Sequence, residues 1–425
     1  MTVANLLAGA GREVTVFEAA PDLGGLASAW KVGELEWERH YHVVLPSDSH
    51  TLGLLAELDL QDELVWAEPK SALYSGGQFH PVSTALEFMR LPSLGLLDKL
   101  RLAATMALGS CVRDWRSLED VPVEAWLRRW SGDRAFERFW LPLLRAKLGE
   151  SYRDSSAVFL WASIQRLCAT RSSGLARAAY GHVRGGYARV LHRFEERLRQ
   201  RGVSLRVGSP ITRITCDGRG LAVELANGTS ESFDGVVVTA PAPVAGRLCE
   251  GLTAGERDRL AAIRYQGILC ASVLLERPIH DCYLVYLADA DLPFTAVVVQ
   301  NGLVAPEELG GLTLVYLPRY LDAGHPMMSA SDDCIRETFL TALGRLYPSL
   351  SANRVVAFKV SRAPNVFPVL TLGHSRRAPP MTTSVAGLYV VNSAQIVNAT
   401  LHVNETLQLA CRAAAPLLGA VEAAR

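Results

Sequence analysis

The sequence lacks a net charge, internal repeats and low-complexity tracts. Its 43 Lys and Arg residues balance its 43 Asp and Glu residues. Because no excess of positive charge attracts phosphate backbones over distance, we expect no nucleic-acid partner. The chain has 425 residues, of which 49% are hydrophobic. Such a chain can bury a large core, and we expect it to fold as two or three packed units.

The sequence also has few signals of a membrane or an oxidising compartment. Its 8 cysteines include no CxxC pair, so we predict reduced core thiols in a cytoplasmic protein. No basic segment followed by an apolar run opens the chain, which argues against a signal peptide. No stretch reaches the roughly 18 uncharged apolar residues that cross a bilayer. The longest apolar segment, Leu91 to Val112, contains charged residues and is expected to roof a cavity or to lie on a membrane surface.

The first twenty residues follow the order of a nucleotide-binding α/β unit. A helix from Thr2 to Ala10 precedes a β-branched strand from Glu13 to Phe17, and Glu18 and Ala19 stand at its carboxyl end. In a dinucleotide-binding unit, an acid at this place accepts hydrogen bonds from ribose hydroxyls. The strand and G-x-G-x-x-G turn that open such a unit would precede Met1. We therefore expect an upstream extension of roughly 10–20 residues.

A double glycine follows at Gly24 and Gly25. Glycines allow backbone N–H groups to approach a phosphate closely, without a Cβ in the way. With Glu18 ahead of it, the segment from Asp22 to Ser28 resembles the double-glycine motif of the amine oxidase superfamily, which lies beside the FAD pyrophosphate. That family commonly has Arg at the position of Leu26. The resemblance therefore implies that one phosphate-pairing charge is absent or supplied elsewhere.

Two middle segments resemble further FAD-contacting blocks of the same superfamily. The residues from Gly185 to Ile214 are similar to a block in which the residue at Ile211 contacts the adenine through its backbone. The residues from Phe233 to Pro241 resemble the strand and turn that close this block, which implies cofactor contacts at Thr239 and Pro241.

The segment from Gly387 to Thr406 resembles the C-terminal flavin block, a strand and loop followed by a helix under the isoalloxazine. The resemblance implies cofactor contacts at Asn392, Asn404 and Glu405. A helix N-terminus carries roughly half a positive charge. In that block it faces the flavin and favours the anionic reduced ring.

These blocks occur in family order over nearly the whole chain. The sequence is therefore identified as a member of the FAD-dependent amine oxidase, protoporphyrinogen oxidase and carotenoid (phytoene) desaturase superfamily, without its N-terminal strand and G-x-G-x-x-G. The resemblance implies an α/β fold, with a Rossmann-like FAD-binding domain, here N-terminally truncated, and a substrate domain of a mixed sheet plus a helical insertion. We assign residues 1–70, 184–250 and 375–425 to the first domain, and 71–183 and 251–374 to the second.

The candidate substrate-site residues lie in two segments. Tyr41 and His42 follow the double glycine at the distance where relatives bring residues towards flavin and substrate, and His42 could exchange a proton near neutral pH. A purely structural role is the alternative. Trp140, Leu144 and Arg145 lie in the helical insertion, which in relatives roofs the substrate cavity. Core packing explains the first two as easily, and simple solvation is the alternative for Arg145 and its neighbour Lys147.

The predicted function is hydride transfer from an apolar substrate to FAD, as desaturation or dehydrogenation. The lysine that amine oxidases place near the flavin has only a weak counterpart, Lys359, which argues against true amine oxidation. A flavin-dependent isomerase on the same scaffold is one alternative. A non-catalytic remnant without FAD is another. No metal is expected, and the sequence does not specify the substrate, the electron acceptor or the oligomeric state.

Overall fold

The computed structural model describes residues 1–169, 178–216, 220–289, 291–352 and 354–422, with backbone only at 419–422. The fold is α/β, with a large mixed sheet, several small sheets and a layer of helices.

The strands of the small sheets are short, and only the three longest strands of the large sheet, at Tyr265–Leu275, Thr313–Leu321 and Val355–Pro368, exceed six residues. In chain order the strands are β1 Thr15–Phe17, β2 Ala29–Val32, β3 Leu35–Glu38, β4 Leu64–Ala67, β5 Ser71–Ser75, β6 Gln78–Pro81, β7 Tyr180–Val183, β8 Ser204–Arg206, β9 Ile211–Cys216, β10 Leu221–Leu225, β11 Ser230–Phe233, β12 Val236–Val238, β13 Tyr265–Leu275, β14 Leu284–Leu287, β15 Ala296–Val299, β16 Thr313–Leu321, β17 Val355–Pro368 and β18 Leu388–Val390.

The helices cluster between β6 and β7 and otherwise connect strands. They are α1 Thr2–Gly9, α2 Ser49–Glu57, α3 Ala85–Met89, α4 Leu96–Cys111, α5 Val123–Ser131, α6 Asp133–Ala135, α7 Leu141–Leu148, α8 Ala157–Cys168, α9 Gly186–Gln200, α10 Ala242–Leu248, α11 Ala254–Ala261, α12 Asp332–Leu346, α13 His374–Arg377 and α14 Val403–Glu422.

The segments predicted to bind FAD form two parallel strand pairs and one antiparallel sheet. β1 pairs with β8 and β12 pairs with β18, both in parallel, while β9, β10 and β11 form a three-stranded antiparallel sheet. The predicted α1, β1 and α9 are confirmed within two residues at each end. Apolar side chains of α1, α2 and α9 share one core cluster, which positions the end of β1 against α9.

One strand prediction was wrong. The residues from Phe233 to Val238 were expected to form a single strand, but the structure divides them between β11 and β12. β11 pairs antiparallel with β10, whereas β12 pairs in parallel with β18. The chain changes sheet at Asp234 and Gly235, so the continuous β-branched pattern conceals a break between two pairings.

The large sheet contains seven strands in the order β17-β13-β16-β15-β14-β5-β6. β13 is buried along its whole length because α12 covers one face of the sheet and other segments cover the opposite face. A tight turn at Gly76 and Gly77, a pair that accepts positive φ, joins β5 to β6 as a hairpin. β14 was not predicted from the sequence.

The helical layer, α3 to α8, has its own apolar core and packs against the ends of β16 and β17. Within the described residues, no helix combines the length and the apolar character that crossing a bilayer requires.

The cysteines only partly match the prediction of core thiols. All 8 are unpaired, but Cys111, Cys168, Cys216 and Cys334 are exposed, so half of the set lies outside the core. Their wide spacing in the sequence did not distinguish helix ends and strand ends from core positions.

A buried hydroxyl network in the helical layer gives a test of this packing. Ser131 Oγ accepts a hydrogen bond from the Trp140 indole at 2.9 Å and lies 2.9 Å from Thr105 Oγ1. Ser131→Ala leaves the buried indole N–H without its acceptor, so we expect a loss of about 1–3 kcal/mol in the free energy of unfolding, measured by urea denaturation. Ser110→Ala, at an exposed serine of α4, should change it by less than about 0.5 kcal/mol. Equal losses in both variants would contradict the assignment.

Candidate functional site

Glu18 lies where β1 ends, and its backbone N–H donates to Arg206 O of the paired strand at 2.9 Å. Its Oε1 accepts the Ala20 N–H at 2.9 Å, which fixes the carboxylate over the strand end. Among the described residues Oε2 has no hydrogen-bond partner, although the side chain is partly accessible. The carboxylate can therefore accept a further hydrogen bond, as the predicted contact with a ribose requires. Ala19, the residue between Glu18 and Ala20, is exposed.

The double-glycine loop is closed on one side and open on the other. Gly24 and Gly25 have φ angles of 109° and 55°, in the region that favours glycine. A Cβ on Gly24 would lie 2.4 Å from Leu191 Cδ1 of α9, whereas no atom lies within 4 Å of the corresponding point at Gly25. Gly24 therefore packs closely against α9, whereas the backbone at Gly25 is open to a ligand.

His40 joins this loop to the segment that follows β3. Its Nδ1 lies 3.0 Å from the Leu26 carbonyl oxygen and donates to it, while its buried Nε2 has no hydrogen-bond partner among the described residues. Burial lowers the pKa of His40. The indole N–H groups of Trp30 and Trp37 in the same β2–β3 hairpin are likewise buried without an acceptor. Since buried polar groups are normally paired, His40 Nε2 fits a polar group bound beside the loop, whereas the two indoles line a separate small cavity.

These observations fit FAD at the predicted place. The strand-end carboxylate has a free oxygen for a ribose, and the bare glycine backbone suits a phosphate. The unpaired Nε2 of His40 provides a contact for a ring system. Leu26 contributes its carbonyl to His40 and no charge, so the family's arginine contact has no counterpart there.

Glu38 is a buried carboxyl that the sequence reasoning missed. It lies at the end of β3, 2% exposed, and its Oε2 accepts the Tyr187 N–H at 3.3 Å. A Cβ on Gly186 would lie 2.4 Å from that oxygen, so glycine there permits the contact. Burial raises the pKa of Glu38 to about 7, against which the backbone hydrogen bonds act. The only local signal was an acid inside an aromatic strand.

Tyr41 and His42 are held by hydrogen bonds next to His40. Tyr41 Oη lies 3.2 Å from Tyr320 Oη of β16, and His42 Nδ1 lies 2.8 Å from the His40 carbonyl oxygen. The His42 ring packs against Tyr187, with centroids 5.0 Å apart. The structure therefore brings both predicted residues to the junction of the double-glycine loop and the large sheet.

Both side chains are uncharged at neutral pH. Burial raises the pKa of Tyr41 well above its usual value and lowers the pKa of His42 to about 4. His42 in this state does not titrate near pH 7, contrary to the expectation from its usual pKa. With Nδ1–H donating to a carbonyl, its Nε2 carries a lone pair and acts as an acceptor.

Four of the other predicted cofactor residues lie at the start of β9 and in the turns that follow β12 and β18. Ile211 begins β9, and Thr239 and Pro241 follow β12 with partial or full exposure. Asn392, buried after β18, donates to Ala240 O at 2.9 Å and so ties the two turns together. Their backbone groups lie at the carboxyl ends of the paired strands β12 and β18, where ligands of α/β folds bind.

Asn404 and Glu405 lie in the first turn of α14. Asn404 Oδ1 accepts the N–H groups of His50 and Thr51 at 2.9 and 3.2 Å, and so caps the beginning of α2. Its side chain is thus occupied, and a contact with the cofactor would come from backbone groups. Glu405 lies 3.9 Å from His402 Nε2, and its role stays a prediction.

The predicted substrate residues of the helical layer lie in its core and on its surface. Trp140 and Leu144 are buried among apolar side chains, while Arg145 is exposed and pairs with Glu150 at 2.9 Å. Nothing in these contacts favours a tunnel lined by them, and that role stays a prediction. Lys147, expected to be solvated together with Arg145, is instead enclosed: its Nζ lies 3.7 Å from the centre of the Tyr320 ring.

Lys359, the weak counterpart of the amine oxidase lysine, lies on β17. It lines a small apolar cavity of about 30 Å³ together with Trp30, Trp37 and Glu38. A cavity of that size holds about one water molecule, so Lys359 does not face a substrate-sized space there.

The raised pKa of Glu38 predicts a specific pH dependence of stability. A carboxyl with a pKa raised from 4.5 to about 7 binds its proton more tightly in the folded state, so folding is favoured below pH 4.5 and loses that contribution as pH rises through 7. In the wild type, the free energy of unfolding should therefore fall by about 3 kcal/mol between pH 4.5 and 8. Glu38→Gln, which has no carboxyl to titrate, should not show this fall. Urea denaturation of both proteins at the two pH values measures it. Glu34→Gln, in the exposed turn of the same hairpin, should leave the wild-type dependence unchanged; parallel curves for wild type and Glu38→Gln would refute the interpretation.

Comparisons with known proteins agree with this geometry. The family model described as flavin containing amine oxidoreductase matches residues 1–418. The structure is similar to that of a proposed protoporphyrinogen oxidase from Exiguobacterium sp. 255-15, with a TM-score of 0.76 and 16% identity over 100% of this chain and 96% of that one.

Two further solved structures share the fold. Reduced UDP-galactopyranose mutase gives a TM-score of 0.75 at 15% identity, covering 98% of this chain and 93% of that chain. A triple mutant of putrescine oxidase gives 0.74 at 18% identity, covering 98% and 96%. The curated proteins include no match. On the family match over residues 1–418, the chain belongs to the flavin-containing amine oxidoreductases and is an FAD-dependent oxidoreductase.

Proposed function

We propose that this enzyme dehydrogenates or desaturates an apolar substrate and passes the hydride to FAD. The observation that carries the proposal is the character of the junction between the double-glycine loop and the large sheet. Tyr41 and His42 are uncharged there, and their neighbours are aromatic: Tyr41 contacts Tyr316 and Tyr320, and His42 packs on Tyr187. Such a lining favours a substrate bound by apolar contacts and oriented by a few hydrogen bonds.

The flavin ring, when bound, supplies the chemistry of accepting a hydride. The protein's own residues bind and orient. Glu18 would hold the ribose, and the Gly24–Gly25 backbone would face the phosphates. His42 Nε2 is an available acceptor, and the Tyr41–Tyr320 hydroxyl pair has one free O–H.

An isomerase remains the second candidate, since reduced UDP-galactopyranose mutase shares the fold. Anaerobic mixing of the FAD-loaded enzyme with a porphyrinogen, a polyisoprenoid or putrescine separates the candidates. Bleaching of the flavin absorbance by either apolar compound but not by putrescine supports the proposal. Bleaching by putrescine alone would overturn it. Turnover only after prior flavin reduction, without consumption of an acceptor, would favour the isomerase.

The strand-end carboxylate gives a test of the cofactor site. Glu18→Ala removes the oxygen proposed to accept the ribose hydroxyls, so FAD affinity should fall by about 1.5–3 kcal/mol, as for hydrogen bonds to a charged group. Fluorescence titration of the apoprotein with FAD measures the change. Glu13→Ala, an exposed acid ahead of the same strand, is the matched control and should bind FAD as the wild type does. An unchanged affinity in Glu18→Ala would remove Glu18 from the site.

We also propose that α4 collects the apolar substrate at a bilayer surface. Leu96, Leu97 and Leu100 are 67%, 60% and 54% exposed on one helix, and Leu86 of α3 is 60% exposed nearby in sequence. Exposed Arg90 and Arg101 flank these leucines, which suits an anionic bilayer. Contiguous apolar exposure of this kind is unusual on a protein without a partner surface.

Replacing Leu96, Leu97 and Leu100 together by Ser should weaken co-sedimentation with phosphatidylglycerol-containing liposomes by more than about tenfold, because the buried apolar area is lost. The double substitution Val207→Ser and Val356→Ser, at exposed apolar positions elsewhere, should not affect it. If the wild type does not sediment with liposomes of any composition, the surface-binding proposal fails.

A further inference from the structure

Lys147 differs from the other lysines of the chain, which are Lys31, Lys70, Lys99 and Lys359. Lys31 and Lys359 are exposed, Lys70 pairs with Asp281, and Lys99 donates to Met89 O at 2.8 Å. Lys147 lies in the last turn of α7. Its Nζ lies 3.7 Å from the centre of the Tyr320 ring and 5.1 Å from the centre of the Phe367 ring. Across the described ranges, no carboxylate and no hydrogen-bond acceptor contacts its Nζ.

An ammonium in this position lacks the partner that a buried charge requires. Removing a charge from water is costly unless an opposite charge or several acceptors replace the lost hydration. Contact with an aromatic face compensates only in part. Accordingly, burial lowers the pKa of Lys147.

The hydroxyl groups beside Lys147 add donors and few acceptors. Tyr41 and Tyr320 form one hydrogen bond with each other, so one of the two O–H groups remains free to donate. Together with the three N–H groups of Lys147, the cluster offers up to four donors. Lys147, Tyr41 and Tyr320 come from α7, the segment after β3 and β16, and each keeps partial accessibility, so the cluster is not completely sealed from solvent.

We propose that Lys147, with the free hydroxyl of the Tyr41–Tyr320 pair, binds an oxyanion, a carboxylate or a phosphate, at one end of the substrate. The inference rests on the proposed function, since it names the substrate class as apolar molecules with one acidic end. An oxyanion accepts several hydrogen bonds at once and neutralises the ammonium, which satisfies both requirements of the cluster. The apolar part would lie along Tyr320, whose ring keeps partial accessibility, with Phe367 packed behind it. Lys147 thereby determines specificity and orientation and takes no part in bond breaking.

Binding of three ten-carbon probes to the FAD-loaded enzyme tests this by calorimetry. The probes are decanoate, decyl phosphate and 1-decanol, which share a chain and differ in the end group. Lys147→Met should weaken the binding of at least one anionic probe about 10- to 100-fold and leave 1-decanol within about twofold of the wild type. Whether decanoate or decyl phosphate binds more tightly distinguishes the two oxyanions. Lys147→Arg, which keeps the charge, should retain most of the affinity, and Lys31→Met, which removes an exposed charge, should retain all of it.

A second readout reports on Lys147 itself. With only five lysines in the chain, labelling with ε-¹³C lysine gives five assignable signals, and Lys147→Arg identifies one of them. The pKa of that signal should be low in the free enzyme and should rise when decanoate or decyl phosphate binds, because the anion favours the charged ammonium.

Three results would overturn the inference. They are equal affinity of wild type and Lys147→Met for both anionic probes, an equal loss of 1-decanol binding in Lys147→Met, or no binding of either anion to the wild type. Circular dichroism and FAD content verify that each variant is folded and loaded. Failure of the proposed function appears differently, as a flavin that apolar substrates do not reduce while anionic probes still bind through Lys147.

Discussion

The structure depends on five consecutive residues, Glu38 to His42, that are buried or partly buried between the double-glycine loop, α9 and the large sheet. Most of their polar contacts link separate parts of the chain. Glu38 binds the start of α9, and its carbonyl accepts the Tyr316 hydroxyl at 2.7 Å. His40 binds the double-glycine loop. Tyr41 reaches β16. The segment is short and extended, so shifting one contact would shift the others.

The same burial sets the charge state of the candidate site. Removal from water keeps Tyr41 protonated and His42 neutral, and it favours the neutral form of Glu38. Tyr41 and His42 therefore act as hydrogen-bond donors and acceptors and do not exchange protons near neutral pH, whereas Glu38, with a pKa of about 7, does. Lys147 is the exception, because its side chain is ordinarily cationic while burial favours the neutral form of its neighbours. This contrast distinguishes a lining that binds an apolar substrate from a position that selects its acidic end.

The sequence predicts this fold well where the information is local. The helix of α1 and the acid at the end of β1 follow from spacing, the turn of the β5–β6 hairpin follows from Gly76–Gly77, and α12 follows from periodicity. The sequence predicts less of the fold where the pairing of distant strands determines it. β4 and β7 pair across the whole helical layer, and β14 joins β5 in parallel from more than two hundred residues away. Neither short apolar run specifies its partner, and β17 extends past Ala363–Pro364 because its pairing with β13 continues there.

The same difference explains which site residues were found. The roles predicted for Gly24 and Gly25 depend on backbone that they themselves form, and that of Glu18 on a carboxylate fixed by its own strand end, so their motif is visible in a window of ten residues. Glu38 and Lys147 act through what surrounds them. A lysine two residues from an exposed arginine gives no sign of enclosure, since only the arrival of β16 and β17 places Tyr320 and Phe367 around it. Cofactor-binding residues are therefore predictable from this sequence to the extent that they bind through local backbone geometry. Substrate-binding residues are set by contacts between distant segments, and for these the three-dimensional structure is the first place where the chemistry can be read.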